Sequence, residues 1–443
     1  MATQGWKWLG TEDKDAIFDC IWDPDRDCGG PYHLEIDPVD SCNADCYFCN
    51  SAEVRRGDVL GWDRVQGLLD DARPRGLRSV RLSGGGESLL YPHFVEIINW
   101  LERHGVQLDN MTTNGVTLAG RRAEALARVP PAFLMVSLNY ATPERYEWGM
   151  RIPRRSFHKI CENLTAYHGM LAGAGRRDEC QTQLQFMISR ETIEDLPEMF
   201  ALGKRLNATA VTLRGLYDQP PERRLTPEER RALMRALAPL AMEYTDEFWI
   251  MLDLGMEGLE QEAAELSNAI HARHRNAEDN GGAGDSDPAG AKLQGNGAHD
   301  LDRFAYCLMP WYSMTVVGSG RVYPCCILLT NQEIDPLGNL NGQTLAEVWN
   351  GEAFKRYRGE IRRAMVLDGP APMSGKLCRH TTAMCWKAGG CHIASKLGDP
   401  ADVARLARQI TDARSSLPGR LTRMRFGLIR KGINMARAVG LRD

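Results

Sequence analysis

Apolar runs with strand character alternate with amphipathic helical segments over the first half of the chain. WDRVQGLLDDARPRG at 62–76 and FVEIINWLERHG at 94–105, for example, place apolar residues at helical spacing. Strands that alternate with helices predict βα units and a parallel sheet. The runs with strand character cover residues 33–37, 79–87, 108–115, 133–139, 181–189 and 210–216. Six strands are fewer than the eight of a closed barrel, so the pattern predicts an α/β protein with a partial (β/α)6 TIM-type barrel.

The second half of the chain has a different composition. Residues 227–244 and 256–275 have helical patterns, whereas residues 276–300 are rich in Gly, Asp, Asn and Ala, which predicts a flexible loop. Six cysteines follow between residues 301 and 395, and a basic segment with helical character ends the chain. We therefore expect five regions: an N-terminal extension at 1–30, the barrel at 31–225, a helical connector at 226–300, a Cys-rich domain at 301–395 and a basic helical tail at 396–443.

Composition narrows the class of protein. The chain has 443 residues, 43% of them hydrophobic and 25% charged, which is typical of a globular protein with two or three domains. The net charge of −4 does not favour nucleic-acid binding, and no run of 18 apolar residues predicts a membrane span. No secretory signal is predicted at the N-terminus, so we expect a cytoplasmic protein. Thirteen cysteines in such a protein indicate metal binding or catalysis rather than disulfides.

Three cysteines form a tight group directly after the first predicted strand. Their spacing is Cys42-x3-Cys46-x2-Cys49, and Phe48 precedes the third. Three thiolates on a four-iron cluster would leave one iron without a protein ligand. The spacing resembles the signature of the radical S-adenosylmethionine (AdoMet, SAM) superfamily, which implies a [4Fe–4S] cluster that binds AdoMet and cleaves it to a 5′-deoxyadenosyl radical. A zinc site is the alternative, although zinc usually takes four ligands, commonly as C-x2-C pairs.

Polar residues follow the ends of the predicted strands, where active sites assemble in parallel α/β folds. The segment Ser83-Gly84-Gly85-Gly86-Glu87 resembles the GGE motif of the superfamily, with Ser88 where a proline often follows. The resemblance implies that this turn meets the methionine amino group and that the residues contacting AdoMet are Gly85, Gly86, Glu87, Thr112, Asn114, Ser137 and Asn139. Each polar side chain could instead cap the next helix, and Arg190 and Arg214 could bind a carboxylate, bind the substrate or form structural ion pairs.

The late cysteines resemble a second family pattern. Cys307-x12-Gly320-x4-Cys325, followed by GNL and TLAEVWNG at 338–351, is similar to the SPASM/twitch extension of radical SAM enzymes. The resemblance implies a small α+β domain with at least one auxiliary [4Fe–4S] cluster. Its candidate ligands are Cys307, Cys325, Cys378, Cys385 and Cys391, and Cys326 could also take part. The spacing C-x6-C-x5-C departs from the family's C-x2-C-x5-C-x3-C, so a second auxiliary cluster is not predicted, and a structural zinc knuckle remains the alternative.

The expected activity is hydrogen abstraction by the 5′-deoxyadenosyl radical, which leads to epimerisation, dehydrogenation or dehydration. About forty residues precede Cys42, which is short for a peptide-recognition domain. We therefore expect a small polar substrate, such as a sugar or aminocyclitol in natural-product or antibiotic biosynthesis. A peptide-modifying enzyme of the SPASM group is the second hypothesis, and a non-catalytic iron–sulfur or zinc protein is the third.

Several further residues have two interpretations each. The resemblance implies a flavodoxin- or ferredoxin-type electron donor, and the basic tail could contact a peptide or carrier protein or simply pack as a solvated helix. The aromatic residues Trp311, Tyr312 and Trp349 could shape a pocket or belong to the core. The thiols not needed as ligands could return hydrogen to a substrate radical or be structural: Cys20, Cys28, Cys161, Cys180 and Cys326.

Overall fold

The computed structural model of the protein describes most of the predicted barrel and parts of the later regions. The described residues are 6–24, 26–49, 51–52, 55–216, 220–254, 260–279, 307–325, 335–367 and 400–415. Of the predicted flexible loop at 276–300, residues 276–279 end a helix and the rest lie outside these ranges. Cys326, Cys378, Cys385 and Cys391 also lie outside them.

One mixed sheet organises the described chain. Its strands are β1 His33–Asp37, β2 Ser79–Leu82, β3 Gln107–Thr113, β4 Phe133–Asn139, β5 Gln181–Ile188, β6 Ala210–Gly215, β7 Trp249–Asp253, β8 Ser313–Val317, β9 Arg321–Tyr323 and β10 Gly338–Asn339. The strand order is β10-β9-β8-β1-β2-β3-β4-β5-β6-β7. Strands β1 to β7 pair in parallel, β8 also runs parallel to β1, and β9 and β10 pair antiparallel. The sheet is open, which confirms the predicted partial barrel.

Helices connect these strands as the amphipathic pattern predicts. They are α1 Thr11–Trp22, α2 Trp62–Ala72, α3 Phe94–His104, α4 Gly120–Arg128, α5 Pro143–Met150, α6 Arg155–Gly173, α7 Leu196–Arg205, α8 Pro227–Tyr244, α9 Glu260–Asp279, α10 Met309–Tyr312, α11 Leu345–Trp349, α12 Glu352–Leu367 and α13 Pro400–Ser415. Local signals fix several ends. At α8, for instance, Thr226 and Glu229 form a reciprocal capping box and Pro227 takes the first helical position.

The structure adds a seventh parallel strand to the six that were predicted. Strand β7 lies inside the region expected to be a helical connector and pairs with β6 from Ala210↔Trp249 to Arg214↔Asp253. Strand β8, from the expected Cys-rich domain, pairs with β1 from His33↔Ser313 to Asp37↔Val317. The late domain therefore shares its sheet with the barrel rather than forming a separate layer.

Side chains alternate along the strands and give the sheet two different faces. Val211 of β6 faces α7, since a Cβ added at Gly203 would lie 2.7 Å from it. Leu34 and Ile36 of β1 are fully buried and apolar, whereas His33, Glu35 and Asp37, which alternate with them, point to the opposite face. The helices thus cover an apolar face and leave a polar face to line the interior of the partial barrel.

The two ends of the described chain pack against each other. Trp6 donates to Asp402 at 3.2 Å and Trp22 to Gln409 at 2.9 Å, so α1 and α13 lie side by side. Arg405 pairs with Asp15 and lies over the ring of Phe18 at 4.6 Å. The described start of the basic tail is therefore a packed helix. Trp8 donates to Asp109 at 2.7 Å, which brings the first turn of the chain onto β3.

Candidate active site

The cysteine loop follows β1 and is held by the end of α5. The backbone N–H of Asp45 donates to Met150 O at 3.2 Å, and that of Tyr47 donates to Gly149 O at 3.3 Å. Gly149 has no side chain because the ring of Tyr140 occupies the space, 2.1 Å from where a Cβ would lie. The three cysteines of this loop, Cys42, Cys46 and Cys49, are all half-buried.

Burial acts on the thiols of this loop. It raises the pKa of Cys42 and raises the pKa of Cys46 to about 12, while the positive charge of Arg55 lowers both. The Cys42 and Cys49 thiolates also raise the pKa of Cys46, because like charges disfavour ionisation. Without a metal Cys42 and Cys46 therefore hold protons, and metal binding must release them.

The donor set of the loop fits an iron–sulfur cluster. Over the described ranges, no group of three or more His, Cys, Asp or Glu side chains is gathered as a single metal ion requires. Three thiols on one loop suit a four-iron cluster that keeps one iron without a protein ligand. The loop follows β1 as the sequence predicts, and the assignment of Cys42, Cys46 and Cys49 as cluster ligands stays a prediction.

The glycine turn after β2 packs directly on the cysteine loop. A Cβ at Gly84, where φ is +146°, would lie 1.9 Å from Asp37 Cγ, and one at Gly86 would lie 2.2 Å from Val39 O. The Gly85 N–H donates to Asp37 Oδ2 at 2.5 Å. Gly84 therefore approaches the Asp37 side chain, and Gly86 the backbone at Val39, more closely than a residue with a side chain could. A Cβ at Gly85 would have ordinary contact distances, with Asp37 Oδ2 at 3.4 Å and Ser51 Cβ at 3.6 Å.

Both carboxylate oxygens of Glu87 accept hydrogen bonds within the protein, and its predicted contact with AdoMet stays a prediction. Its Oε1 accepts hydrogen bonds from Leu89 N at 3.2 Å and Thr113 Oγ1 at 2.7 Å, and its Oε2 accepts one from Asn114 N at 2.7 Å. The side chain is 2% exposed. Burial raises the pKa of Glu87, and the three donated hydrogen bonds oppose that rise. Glu87 therefore ties the glycine turn to the end of β3.

Two asparagines flank the cysteine loop. Asn114 Nδ2 lies 2.6 Å from Asn43 Oδ1 and 3.8 Å from Cys42 Sγ. Asn139 ends β4 with φ +65°, and its Nδ2 lies 3.3 Å from Met150 Sδ, which in turn is 3.5 Å from Cys46 Sγ. The structure thus brings together the predicted residues at the ends of β3 and β4 around the cysteines.

Of the remaining predicted polar residues, two lie near the ends of β3 and β4, and two are arginines that face acidic side chains. Thr112 lies one residue before the end of β3, and its Oγ1 is buried without a hydrogen-bond partner in the described part of the chain. Ser137 is half-buried and its carbonyl oxygen accepts a hydrogen bond from Asn139 Nδ2 at 3.1 Å. Arg190 instead binds the start of α8 through Arg224 O at 3.1 Å and Glu229 at 3.5 Å. Arg214 faces Asp253 of β7, with Nε and Oδ2 3.9 Å apart.

Two residues at the site were not singled out from the sequence. Asp37 ends β1 beneath the glycine turn, and burial raises its pKa to about 7. Arg55 donates through Nη2 to Cys49 Sγ at 3.1 Å and through Nε to Gly85 O at 2.8 Å. A polar residue at the end of a strand was a usable signal for Asp37, whereas no motif marks Arg55.

The cysteines and aromatic residues with two interpretations are buried or half-buried wherever the structure describes them. Cys180 precedes β5 and is buried, and Cys20 and Cys28 are buried and hydrogen-bonded to each other. Cys161 is half-buried in α6. The aromatic core residues, all 0% exposed, are Trp311, Tyr312 and Trp349.

Two of the predicted auxiliary ligands, Cys307 and Cys325, lie within the described residues. Cys307 precedes α10, Cys325 follows β9, and the β8–β9 hairpin separates them. Gly320 has φ +78° in the turn of this hairpin, where a Cβ would lie 2.9 Å from Asn339 Oδ1. This explains why the spacing between the two cysteines includes a glycine.

Comparison with known families decides the class. The model of the radical SAM superfamily matches residues 36–202, and the model of the SPASM iron–sulfur cluster-binding domain matches residues 307–380. The chain therefore carries a radical SAM domain followed by a SPASM iron–sulfur cluster-binding domain, as its motifs predict. The first domain implies a [4Fe–4S] cluster and AdoMet, and the second implies an auxiliary cluster. When bound, the first cluster and AdoMet together supply a 5′-deoxyadenosyl radical.

Relatives act on different substrates. PqqA peptide cyclase of Gluconobacter oxydans is 27% identical over 362 residues, which cover 74% of this chain and 79% of the relative. GTP 3′,8-cyclase 1 of Mycobacterium tuberculosis is 29% identical over 186 residues, or 40% of this chain and 48% of the relative. Human molybdenum cofactor biosynthesis protein 1 is 29% identical, and only 21% of it is covered. This chain thus spans about half, or less, of the length of these last two relatives.

Solved structures show the same fold. SuiB of Streptococcus suis bound to precursor peptide SuiA has a TM-score of 0.53 at 14% identity, and the match covers 82% of this chain and 71% of SuiB. Histidine-tagged anSMEcpe with bound AdoMet has a TM-score of 0.51 at 13% identity, and the match covers 87% of this chain and 98% of anSMEcpe. Within the described ranges every helix is too short or too polar to cross a bilayer.

Proposed function

We propose that this radical SAM enzyme abstracts hydrogen from a small polar substrate, such as a sugar or aminocyclitol. Cys42, Cys46 and Cys49 would hold the first cluster, and Cys307 and Cys325, with Cys378, Cys385 and Cys391, would supply the auxiliary ligands. The residues that would surround AdoMet are Gly85, Gly86, Glu87, Thr112, Asn114, Ser137 and Asn139. The observation that carries the proposal is the polar character of the interior face of the sheet.

Charged side chains occupy the middle of this face. Glu35 of β1 is 1% exposed, and its Oε1 lies 3.5 Å from Arg81 Nη1 of β2. Thr315 of β8 donates to the other oxygen of Glu35 at 3.5 Å. Buried charges require partners and polar surroundings, so this part of the interior disfavours an apolar substrate.

Several buried polar atoms of the same face lack a hydrogen-bond partner among the described residues. They are His33 Nε2, Asn110 Oδ1, Thr112 Oγ1 and Ser313 Oγ. Buried polar atoms in native proteins are almost always paired with protein, water or ligand groups. Hydroxyl or amino groups of a polar substrate, or ordered water molecules, would satisfy them.

An ion pair lies at the ends of the last two parallel strands. Arg214 and Asp253 are each about one third exposed, with 34% and 30% of their side chains accessible. Partly exposed charges of both signs at the C-terminal ends of strands suit a substrate with an amino or a carboxylate group. This supports an aminocyclitol or amino sugar more than a neutral apolar molecule.

The test is substrate-dependent release of 5′-deoxyadenosine. The reconstituted holoenzyme would be incubated anaerobically with AdoMet, dithionite and a panel of aminocyclitols, amino sugars and short peptides. We expect stimulation by a polar small molecule and a higher KM for it in Arg214→Gln, with Lys204→Gln as a surface control that breaks an exposed ion pair. Stimulation by peptides alone would contradict the small-substrate proposal.

A peptide substrate is the second candidate. The observation that favours it is the similarity to PqqA peptide cyclase over 79% of that protein's length. In this case the polar interior would receive a polar side chain of the peptide rather than a whole molecule. A short precursor gene beside this one, whose product stimulates AdoMet cleavage, would support this candidate.

Electron supply completes the proposal. We infer that a flavodoxin- or ferredoxin-type protein reduces the cluster and that the enzyme works in the cytoplasm, where its free thiols stay reduced. Replacing dithionite with a reduced flavodoxin should sustain AdoMet cleavage. A complete failure with both flavodoxin and ferredoxin would contradict this inference.

A further inference from the structure

Arg55 lies between the cysteine loop and the glycine turn and hydrogen-bonds to both. Its Nη2 donates to Cys49 Sγ at 3.1 Å, and its Nε donates to Gly85 O at 2.8 Å. A third bond joins Nη1 to Ala44 O at 3.3 Å. All five N–H groups of a guanidinium lie in one plane, so these bonds fix the relative positions of the thiol and the turn.

The charge of Arg55 lies directly beside a thiol of the loop, since its Nη2 is 3.1 Å from Cys49 Sγ. Arg55 is half-buried, so water screens its charge only partly. A positive charge in this place would stabilise negative charge on a cluster that Cys49 helps to hold.

We propose that Arg55 is a positioning residue that raises the reduction potential of the first cluster and couples that potential to AdoMet binding. The inference rests on the proposed ligand role of Cys49. Hydrogen bonds to cluster sulfurs and nearby charge are the protein's means of setting such a potential. Reduction adds one negative charge to the cluster, and the Arg55 guanidinium stabilises that charge.

The same guanidinium holds the turn that is expected to meet AdoMet. Nε fixes the carbonyl of Gly85, and the opposite side of this residue is fixed by the bond from its N–H to Asp37 at 2.5 Å. A change in the turn is therefore transmitted to Cys49 through a single rigid group. Coupling between two sites is reciprocal, so AdoMet affinity and cluster potential should change together.

The experiment compares Arg55→Gln with Arg56→Gln in the anaerobic holoenzyme. Arg56 is the neighbouring arginine and is exposed, so its replacement removes the same charge from the same loop without touching a thiol. Redox titration followed by EPR gives the potential, and equilibrium dialysis gives the AdoMet dissociation constant without turnover. For Arg55→Gln we expect the ratio of reduced to oxidised cluster at a fixed potential to fall about tenfold, which is about 59 mV for one electron. AdoMet affinity should fall as well, whereas Arg56→Gln should resemble the wild type.

Each outcome decides the proposal. A wild-type potential and AdoMet affinity in Arg55→Gln would overturn it, and so would equal shifts in both variants, because charge alone would then explain them. If Arg55→Gln loads no iron, Arg55→Lys decides, since lysine keeps the charge but has one nitrogen. Wild-type AdoMet affinity in Arg55→Lys would then overturn the coupling. Loss of iron in Cys46→Ala tests the ligand assignment separately.

Discussion

Glu87 offers the sharpest test of the site, because the motif predicts one role for it and its hydrogen bonds indicate a second, structural one. The motif predicts a contact with the AdoMet amino group, whereas the structure directs both carboxylate oxygens to Leu89, Thr113 and Asn114. The substitution Glu87→Gln separates these roles. It keeps the shape of the side chain but replaces one acceptor oxygen with an NH2 donor.

The expected loss of stability follows from the hydrogen bonds. In Glu87→Gln the new NH2 group must face a donor, either Asn114 N–H on one side or Leu89 N–H and the Thr113 hydroxyl on the other. Leaving a buried donor unsatisfied costs about 1–3 kcal/mol, and here at least two donors face each other. Because burial already disfavours the charged carboxylate, part of this loss is offset. We expect a net decrease of about 3 kcal/mol in the free energy of unfolding.

Urea unfolding of the anaerobic holoprotein, followed by circular dichroism, measures this decrease. Glu96→Gln on α3 is the matched control, since Glu96 is about half exposed and lies 3.6 Å from His93. Its stability should remain within about 0.5 kcal/mol of the wild type. The reasoning is refuted if Glu87→Gln unfolds like the wild type while AdoMet binding, measured by dialysis, is lost.

Three further predictions concern the same site. Asp37→Asn should remove a pH dependence: burial raises the Asp37 pKa from 3.8 to about 7 in the folded state, so wild-type stability should fall by up to about 4 kcal/mol as pH rises from about 4 to 7. Urea unfolding at pH 5 and pH 8 measures this change in the free energy of unfolding. An equal change for the wild type and for Asp37→Asn would contradict the prediction. Gly86→Ala should lose several kcal/mol, because its Cβ would lie 2.2 Å from Val39 O, whereas Gly85→Ala should stay folded but bind AdoMet more weakly. Thermal unfolding and dialysis distinguish the two, and equal stability losses would refute the contrast. Cys46→Ala should abolish 5′-deoxyadenosine release, and unchanged release would exclude Cys46 as a ligand.

Local patterns were sufficient to predict the first six strands and the place of the cysteine loop. Alternating and helical periodicities depend on neighbouring residues, and the spacing of Cys42, Cys46 and Cys49 is contained within eight residues. Strand β7 was missed because Trp249–Asp253 has only four apolar residues before its aspartate and lies between two helices, and so short a run does not distinguish a strand from a buried helix. The pairing of β8 with β1 joins residues about 280 positions apart and has no local signal.

The roles of site residues were harder to predict than their positions. Glu87 was identified by its motif, but its partners come from the neighbouring strand, and which side its oxygens face depends on the register of β2 and β3. Arg55 follows Cys49 by six residues and belongs to no recognisable spacing, yet it contacts a thiol and the glycine turn. Such contacts arise from packing, which the order of residues does not reveal.

The run of three glycines shows how packing assigns different roles to identical residues. Gly84 is required because Asp37 lies beneath it, and Gly86 because the backbone of the cysteine loop crosses it. Both glycines therefore let the cysteine loop and the turn lie in contact, and neither position has room for a Cβ atom. Gly85 alone has room, and its N–H and C=O are fixed by Asp37 and Arg55. Asp37 and Arg55 thus hold the peptide groups on both sides of Gly85, so the geometry of the expected AdoMet contact depends on two residues outside the glycine motif.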